Sequence, residues 1–226
     1  MKAILILEDG TTFEGQSFGA TGEAVGEVIF NTQVVGYQEI LTDPAYRKQI
    51  IVMGYPHIGN YGINERCNES DRAHASALVI KENSKIYSNW QAKESLSDFM
   101  KKNNVIGMEG IDTRALTIHI RDNGEMRGVT STEDFERESL LKKAKEYKLP
   151  DLVAEIKSQI PNPKSQTNPN YQNPNSKTVI LNLGINNSTL VRFSGSTLVP
   201  YDITADKILE LKLEQVVISG GPGDPR

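Results

Sequence analysis

Seven residues late in the chain, Ser219-Gly220-Gly221-Pro222-Gly223-Asp224-Pro225, follow directly on the apolar run Gln215-Val216-Val217-Ile218. Glycine lets backbone N–H groups approach a ligand with no Cβ in the way. Pro222 fixes φ and stiffens the turn. A rigid glycine turn at a strand end is a cradle for an oxyanion or a carboxylate, because fixed N–H donors stabilise negative charge as it develops. The competing reading is a plain tight turn between strand and helix. A nucleotide site fits poorly. Gly221-Pro222-Gly223 runs into Asp224-Pro225-Arg226, so the third glycine of a dinucleotide fingerprint is missing, and the Gly-Lys-Ser of a P-loop is absent.

The nucleophile and proton-transfer inventory is short. Cys67 is the single cysteine and lies in Glu65-Arg66-Cys67-Asn68-Glu69. That setting lacks the glycines of a sharp nucleophile elbow. Arg66 favours the thiolate, but two glutamates oppose it, so Cys67 reads as structural or incidental. His57 sits among loop-formers in YPHIGNYG and is expected to hold the loop by a hydrogen bond. His74 precedes a strand, and His119 falls within a helical pattern. With no second ligand at i+4 or nearby, no metal site is expected.

The elements that must position these residues change character along the chain. Ala3–Glu8 and Thr11–Gly15 flank Asp9-Gly10, a strong hairpin signal. Further strands are expected over Gly26–Asn31, Gln49–Met53 and Ala75–Ile80. Helical patterns cover Ser95–Asn103, Asp112–Asp122 and Glu133–Lys148, with Asp112 a good N-cap. Strands first and helices later predict an α+β domain over residues 1–159. Residues 160–177, IPNPKSQTNPNYQNPNSK, are dominated by asparagine and proline and predict an exposed linker, since they cannot bury enough surface to offset their ordering entropy. Residues 178–226 then give three short strands (Thr178–Leu183, Thr197–Pro200, Gln215–Ile218) and a helix over Ala205–Glu214. Continuous apolar strands around helices predict the start of an open parallel α/β sheet. These 49 residues cannot cover both faces of such a sheet, so apolar faces and at least one edge are expected to stay bare.

Composition limits the function classes. Net charge is −4 with both signs scattered, and no basic stripe points to nucleic acid. No apolar run approaches the ~18 residues of a membrane span. The apolar stretch at the N-terminus is too short for a signal peptide and meets Glu8 and Asp9 at once. One cysteine excludes an internal disulfide and a cysteine-based zinc cluster. The cytoplasm is the default compartment.

In five stretches, LEDGTTFEG (7–15), GEVIFNTQVVGYQEILTDPAY (26–46), YPHIGNYG (55–62), GIDTRALT (110–117) and SGGPGDP (219–225), the chain resembles the small, glutamine-hydrolysing subunit of carbamoyl phosphate synthetase. The resemblance implies an N-terminal domain that docks onto a large synthetase subunit, followed by a class I glutamine amidotransferase domain. It implies that a cysteine thiolate attacks the glutamine carboxamide, helped by a histidine and an oriented glutamate. The ammonia then passes to the large subunit, which uses ATP, magnesium and bicarbonate. Gly221 and Gly223 carry over as glutamine-binding residues. The family's Gly-x-Cys-x-Gly elbow, histidine and glutamate lie beyond Arg226, so no catalytic residue carries over, and these 226 residues are expected to be inactive as a glutaminase. No cofactor is expected in this chain.

Three departures from the family pattern stand out. Gly220 replaces a usual asparagine. Ala45 replaces a usual serine whose hydroxyl reaches the substrate, a bond worth ~0.5–1.5 kcal/mol net. The segment after Gly184 is less basic and shorter, which predicts a clipped first helix. The alternative to an enzyme subunit is a docking or scaffold module for a synthetase partner.

Overall fold

The computed structural model describes residues 1–157 and 177–223. The chain divides into two compact units, Met1–Leu149 and Pro150–Arg226. All of the expected linker, 160–177, except Lys177 lies within 158–176, outside the described residues.

The first unit contains β1 (Lys2–Leu7), β2 (Thr12–Ser17), β3 (Glu23–Asn31), α1 (Tyr37–Thr42), β4 (Ile50–Met53), β5 (His57–Ile58), β6 (Ala77–Val79), β7 (Glu82–Asn83), α2 (Leu96–Lys102), β8 (Ile106–Glu109), α3 (Thr113–Asn123), β9 (Met126–Ser131) and α4 (Arg137–Glu146). Seven strands close a barrel in the order β1-β2-β8-β6-β4-β3-β9. The expected hairpin forms, with Ile6 opposite Thr12. The Asp9 carboxylate accepts the Thr11 N–H at 2.8 Å, and Leu7 N–H donates to Thr11 O across the turn.

The run AILIL in β1 is continuous rather than alternating because both of its faces are buried. Ala3, Leu5 and Leu7 enter the barrel interior with Val28, Ile50, Val52 and Met108. Ile4 and Ile6 face outward against Val129 and the α4 residues Leu140 and Ala144. β4 repeats the pattern. Ile50 and Val52 point in, while Ile51 and Met53 pack outside with Tyr37, Leu41, Leu96 and Phe99 of α1 and α2. Helix α3 contributes Leu116 and Ile120 to the interior cluster.

Helices α2 and α3 start where the helical patterns place them, each on a side-chain cap. The Ser95 hydroxyl accepts the Asp98 N–H, and the Asp112 carboxylate accepts the Ala115 N–H at 2.9 Å. Helix α4 starts later than the expected Glu133. Ser131 Oγ accepts the N–H groups of Glu133 and Asp134, and Asp134 Oδ1 accepts that of Glu136. These side-chain bonds satisfy the amides in a turn, and the helix begins only at Arg137. The expected division into a strand-rich first half and a helix-rich second half is corrected: β8 and β9 lie among the helices and complete the barrel.

The second unit contains α5 (Leu152–Lys157), β10 (Thr178–Asn182), α6 (Asn187–Arg192), β11 (Thr197–Pro200), α7 (Ala205–Glu210) and β12 (Gln215–Ile218). Its three strands are parallel in the order β11-β10-β12. Val179 pairs with Thr197 on one side and with Val216 on the other. Helix α7 ends at Glu210 instead of the expected Glu214, because Lys212 takes a positive φ of 49°. The expected bare apolar surface is present: Ile218 is 69% and Leu209 74% exposed. Helix α6 has six residues.

Candidate functional site

The candidate turn lies at the carboxyl ends of β10 and β12. The strand order places the first strand, β10, in the centre. The chain leaves it toward β11 and then crosses to β12 on the far side, so the topological switch point falls between β10 and β12. Open α/β sheets take ligands at that place, outside the strands' carboxyl ends.

Two segments meet there. Ser219, 6% exposed, follows β12. Its N–H donates to Leu181 O at 3.1 Å, extending the strand ladder by one bond. Its hydroxyl accepts the Leu183 N–H at 2.9 Å and donates to Gly220 O at 2.8 Å. From β10, the buried Asn182 turns the chain: its Oδ1 accepts the N–H groups of Gly184 and Ile185, both at 3.1 Å. Gly221 lies against this backbone. A Cβ there would stand 2.3 Å from Leu183 O and 2.8 Å from its carbonyl carbon. Gly223 takes a φ of +100° in open space. Pro222 between them is buried. The Gly221 and Gly223 N–H groups have no acceptor among the described residues, which is the state an anion or carbonyl cradle requires.

Ala45 lies in the first unit, in a short 3-10 turn over Pro44–Tyr46. Its N–H is taken by Asp43 Oδ1 at 2.9 Å, so neither its side chain nor its amide is a free donor.

The other candidate groups have structural partners. Cys67 Sγ accepts from Asn64 Nδ2 at 3.2 Å. Burial pushes the Cys67 thiol up, and the Glu39 and Glu69 carboxylates add to the rise, the reverse of what an attacking thiolate needs. His119 Nε2 lies 2.7 Å from Asp9 Oδ2 and ties α3 to the first hairpin. Burial alone would raise the Asp9 carboxyl, but the Thr11 N–H and the His119 ring hold it below the usual range. His74 is held down to about 4 by burial, then by the nearby Arg72 and Arg47, and its Nε2 meets Ser70 Oγ at 3.0 Å. The His57 segment is held by strand pairing of β5 with β7 rather than by a ring hydrogen bond. The ring sits 3.8 Å from Glu82 Oε1. Among the described residues no group of three or more His, Cys, Asp or Glu side chains could hold a metal ion, and no helix is long and apolar enough to cross a membrane.

Two features went unread in the sequence. One is the Ser219–Leu183 link, whose partners are 36 residues apart; the small hydroxyl residue opening the glycine motif is its only signal. The other is a polar network under α1. Fully buried Gln38 accepts the Asn64 N–H at 3.0 Å and donates to Asn64 O and Asn68 Oδ1. The Tyr61 hydroxyl beside it accepts the Gly36 N–H at 2.7 Å.

Fold and site together define a two-unit protein: a closed, mixed barrel joined to a parallel α/β sheet with a glycine turn at its switch point. Residues 5–130 match the family described as carbamoyl-phosphate synthase small chain, CPSase domain. The carbamoyl phosphate synthase small chain of Syntrophotalea carbinolica is 43% identical over 242 residues, covering 100% of this chain and 64% of that protein. That of Thermotoga maritima is 43% identical over 230 residues, covering 99% of this chain and 57% of its own length. That of Maridesulfovibrio salexigens is 56% identical over 146 residues, 65% of this chain and 39% of the relative. The chain belongs to the carbamoyl-phosphate synthase small-chain family. It spans less than two-thirds of the length of these relatives.

Proposed function

We propose that these residues belong to the small subunit of a glutamine-dependent carbamoyl phosphate synthetase. The barrel unit docks on a large synthetase subunit. The α/β unit begins a class I glutamine amidotransferase domain, joined to the barrel through the asparagine- and proline-rich stretch 160–177. Gly221 and Gly223 receive the side-chain carbonyl of glutamine as it gains charge, and Ala45 contributes no hydroxyl to that site. Ammonia released from glutamine passes to the partner, which uses ATP, magnesium and bicarbonate. The observation that carries the reading is the pair of glycine N–H groups without an acceptor among the described residues, at a sheet switch point, in a chain of this family.

These 226 residues contain one cysteine, and its thiol is pushed up rather than down. The protein of these residues therefore releases no ammonia from glutamine, although it binds the large subunit. The test mixes it with a large synthetase subunit and measures complex formation, then carbamoyl phosphate synthesis from glutamine and from added ammonium salt. Binding, with synthesis from ammonium alone, is expected. Steady ammonia release from glutamine by this chain would overturn the inactivity, and failure to bind would overturn the subunit role. An open reading frame downstream of Arg226 that encodes a Gly-x-Cys-x-Gly elbow favours the enzyme subunit; a stop codon there favours a docking module.

A further inference from the structure

The Ser219 side chain does something that its place in a glycine motif does not explain. It is buried, accepts one amide from across the sheet and donates to the carbonyl of the next residue. Because Leu183 N–H occupies a lone pair of Oγ, the hydroxyl proton is free to be given to Gly220 O. That bond draws the Gly220 carbonyl toward Ser219. No peptide bond among the described residues is cis. In a planar trans peptide the N–H points opposite to the carbonyl. The Gly221 N–H is therefore aimed away from Ser219, on the side where it meets no acceptor among the described residues. Gly221 Cα is held against the Leu183 backbone, but the peptide turns about the bonds to its flanking Cα atoms, and Gly220, with open space around its Cβ position, puts no side chain in its way.

We infer that Ser219 is a positioning residue: its hydroxyl sets the Gly220–Gly221 peptide so that the Gly221 N–H presents itself to the glutamine carbonyl. The inference rests on the glutamine-binding role proposed above. Ser219 touches no substrate and acts only through the Gly221 amide. Without the hydroxyl the peptide is free to turn over, and the cradle then offers a carbonyl oxygen where a donor is required. A carbonyl facing a developing oxyanion repels it, so the loss is larger in the charged transition state than in the bound ground state.

The test compares Ser219→Ala and Ser219→Thr in the full-length small chain assembled with its large subunit. Carbamoyl phosphate synthesis is measured from glutamine and from ammonium salt. Ser219→Ala is expected to lower kcat with glutamine on the order of ten- to a hundredfold, with a smaller change in KM. Synthesis from ammonium should stay at the parent rate, and Ser219→Thr, which keeps the hydroxyl, should recover most of the glutamine rate. In the 226-residue chain the Gly221 amide resonance should shift or broaden in Ser219→Ala and return in Ser219→Thr. Parent-like glutamine kinetics in Ser219→Ala would overturn the positioning role, as would equal losses in both variants. A Gly221→Val protein with undiminished glutamine use would instead overturn the glycine-cradle reading beneath it, so the two failures are separable.

Discussion

The backbones of Gly221 and Leu183 are in direct contact, with a Cβ at 221 falling 2.3 Å from the Leu183 carbonyl oxygen. The approach joins the end of β12 to the loop that leaves β10. It separates two glycines that look alike in the sequence. Gly221 is required by space, whereas Gly220 has open surroundings and a φ outside the left-handed region.

Gly221→Ala should therefore open the switch point, while Gly220→Asn should leave it intact. The expected cost at 221 is about 1–3 kcal/mol, the range for forcing an extra carbon into packed structure, against less than about 0.5 kcal/mol at 220. Peptide-level hydrogen exchange over residues 178–184 reads the difference directly. Equal protection in the two variants would show that the contact does not constrain the strands.

His74 gives the barrel unit a pH dependence. Its ordinary value is 6.5, and in the folded chain burial, with Arg72 and Arg47, holds it at about 4. Between these values the unfolded chain binds a proton that the folded chain refuses. Stability is thus full above about pH 6.5, declines as the pH falls through that window, and levels off below about 4. The size is on the order of 3 kcal/mol at most. Chemical denaturation across pH 4–7 should show this slope, and His74→Gln should flatten it. An NMR titration midpoint for His74 near 6.5 would remove its cause.

Gln38 is the polar pivot beneath α1, serving both backbone groups of Asn64. Gln38→Leu keeps the volume but leaves a buried donor and acceptor unmatched. The expected loss is about 2–4 kcal/mol, from one to three for each orphaned group with partial relaxation. Gln38→Glu should be damaging too, since a carboxylate cannot donate to Asn64 O. Thermal or urea unfolding checks both; a near-neutral Gln38→Leu would show that solvent reaches Asn64.

What the sequence disclosed and what it hid divide by range. The first hairpin, the cap at Asp112 and the three parallel strands depend on local residues, and all were legible. Strands β8 and β9 were not. Gly107 and Gly128 interrupt their apolar patterns, and both are there for distant partners: a Cβ at 128 would meet Val28 Cγ2 at 2.6 Å, and one at 107 would meet the Gly19 nitrogen at the same distance. Helix α1, six residues long, has too little periodicity to be seen and is held by burial of Tyr37, Ile40 and Leu41. At the turn, the glycines announce themselves as a motif. The Ser219–Leu183 bond exists only once β10 and β12 are in register, with Leu181 beside Ile218.

The most direct test replaces both Gly221 and Gly223 with valine in the full-length small chain and follows ammonia release from glutamine beside synthesis from ammonium salt. Loss of glutamine use by about a hundredfold or more, with ammonium-driven synthesis preserved in the assembled complex, is the expected result. Ammonia release at the parent rate would contradict the amide cradle and the assignment of this turn to glutamine.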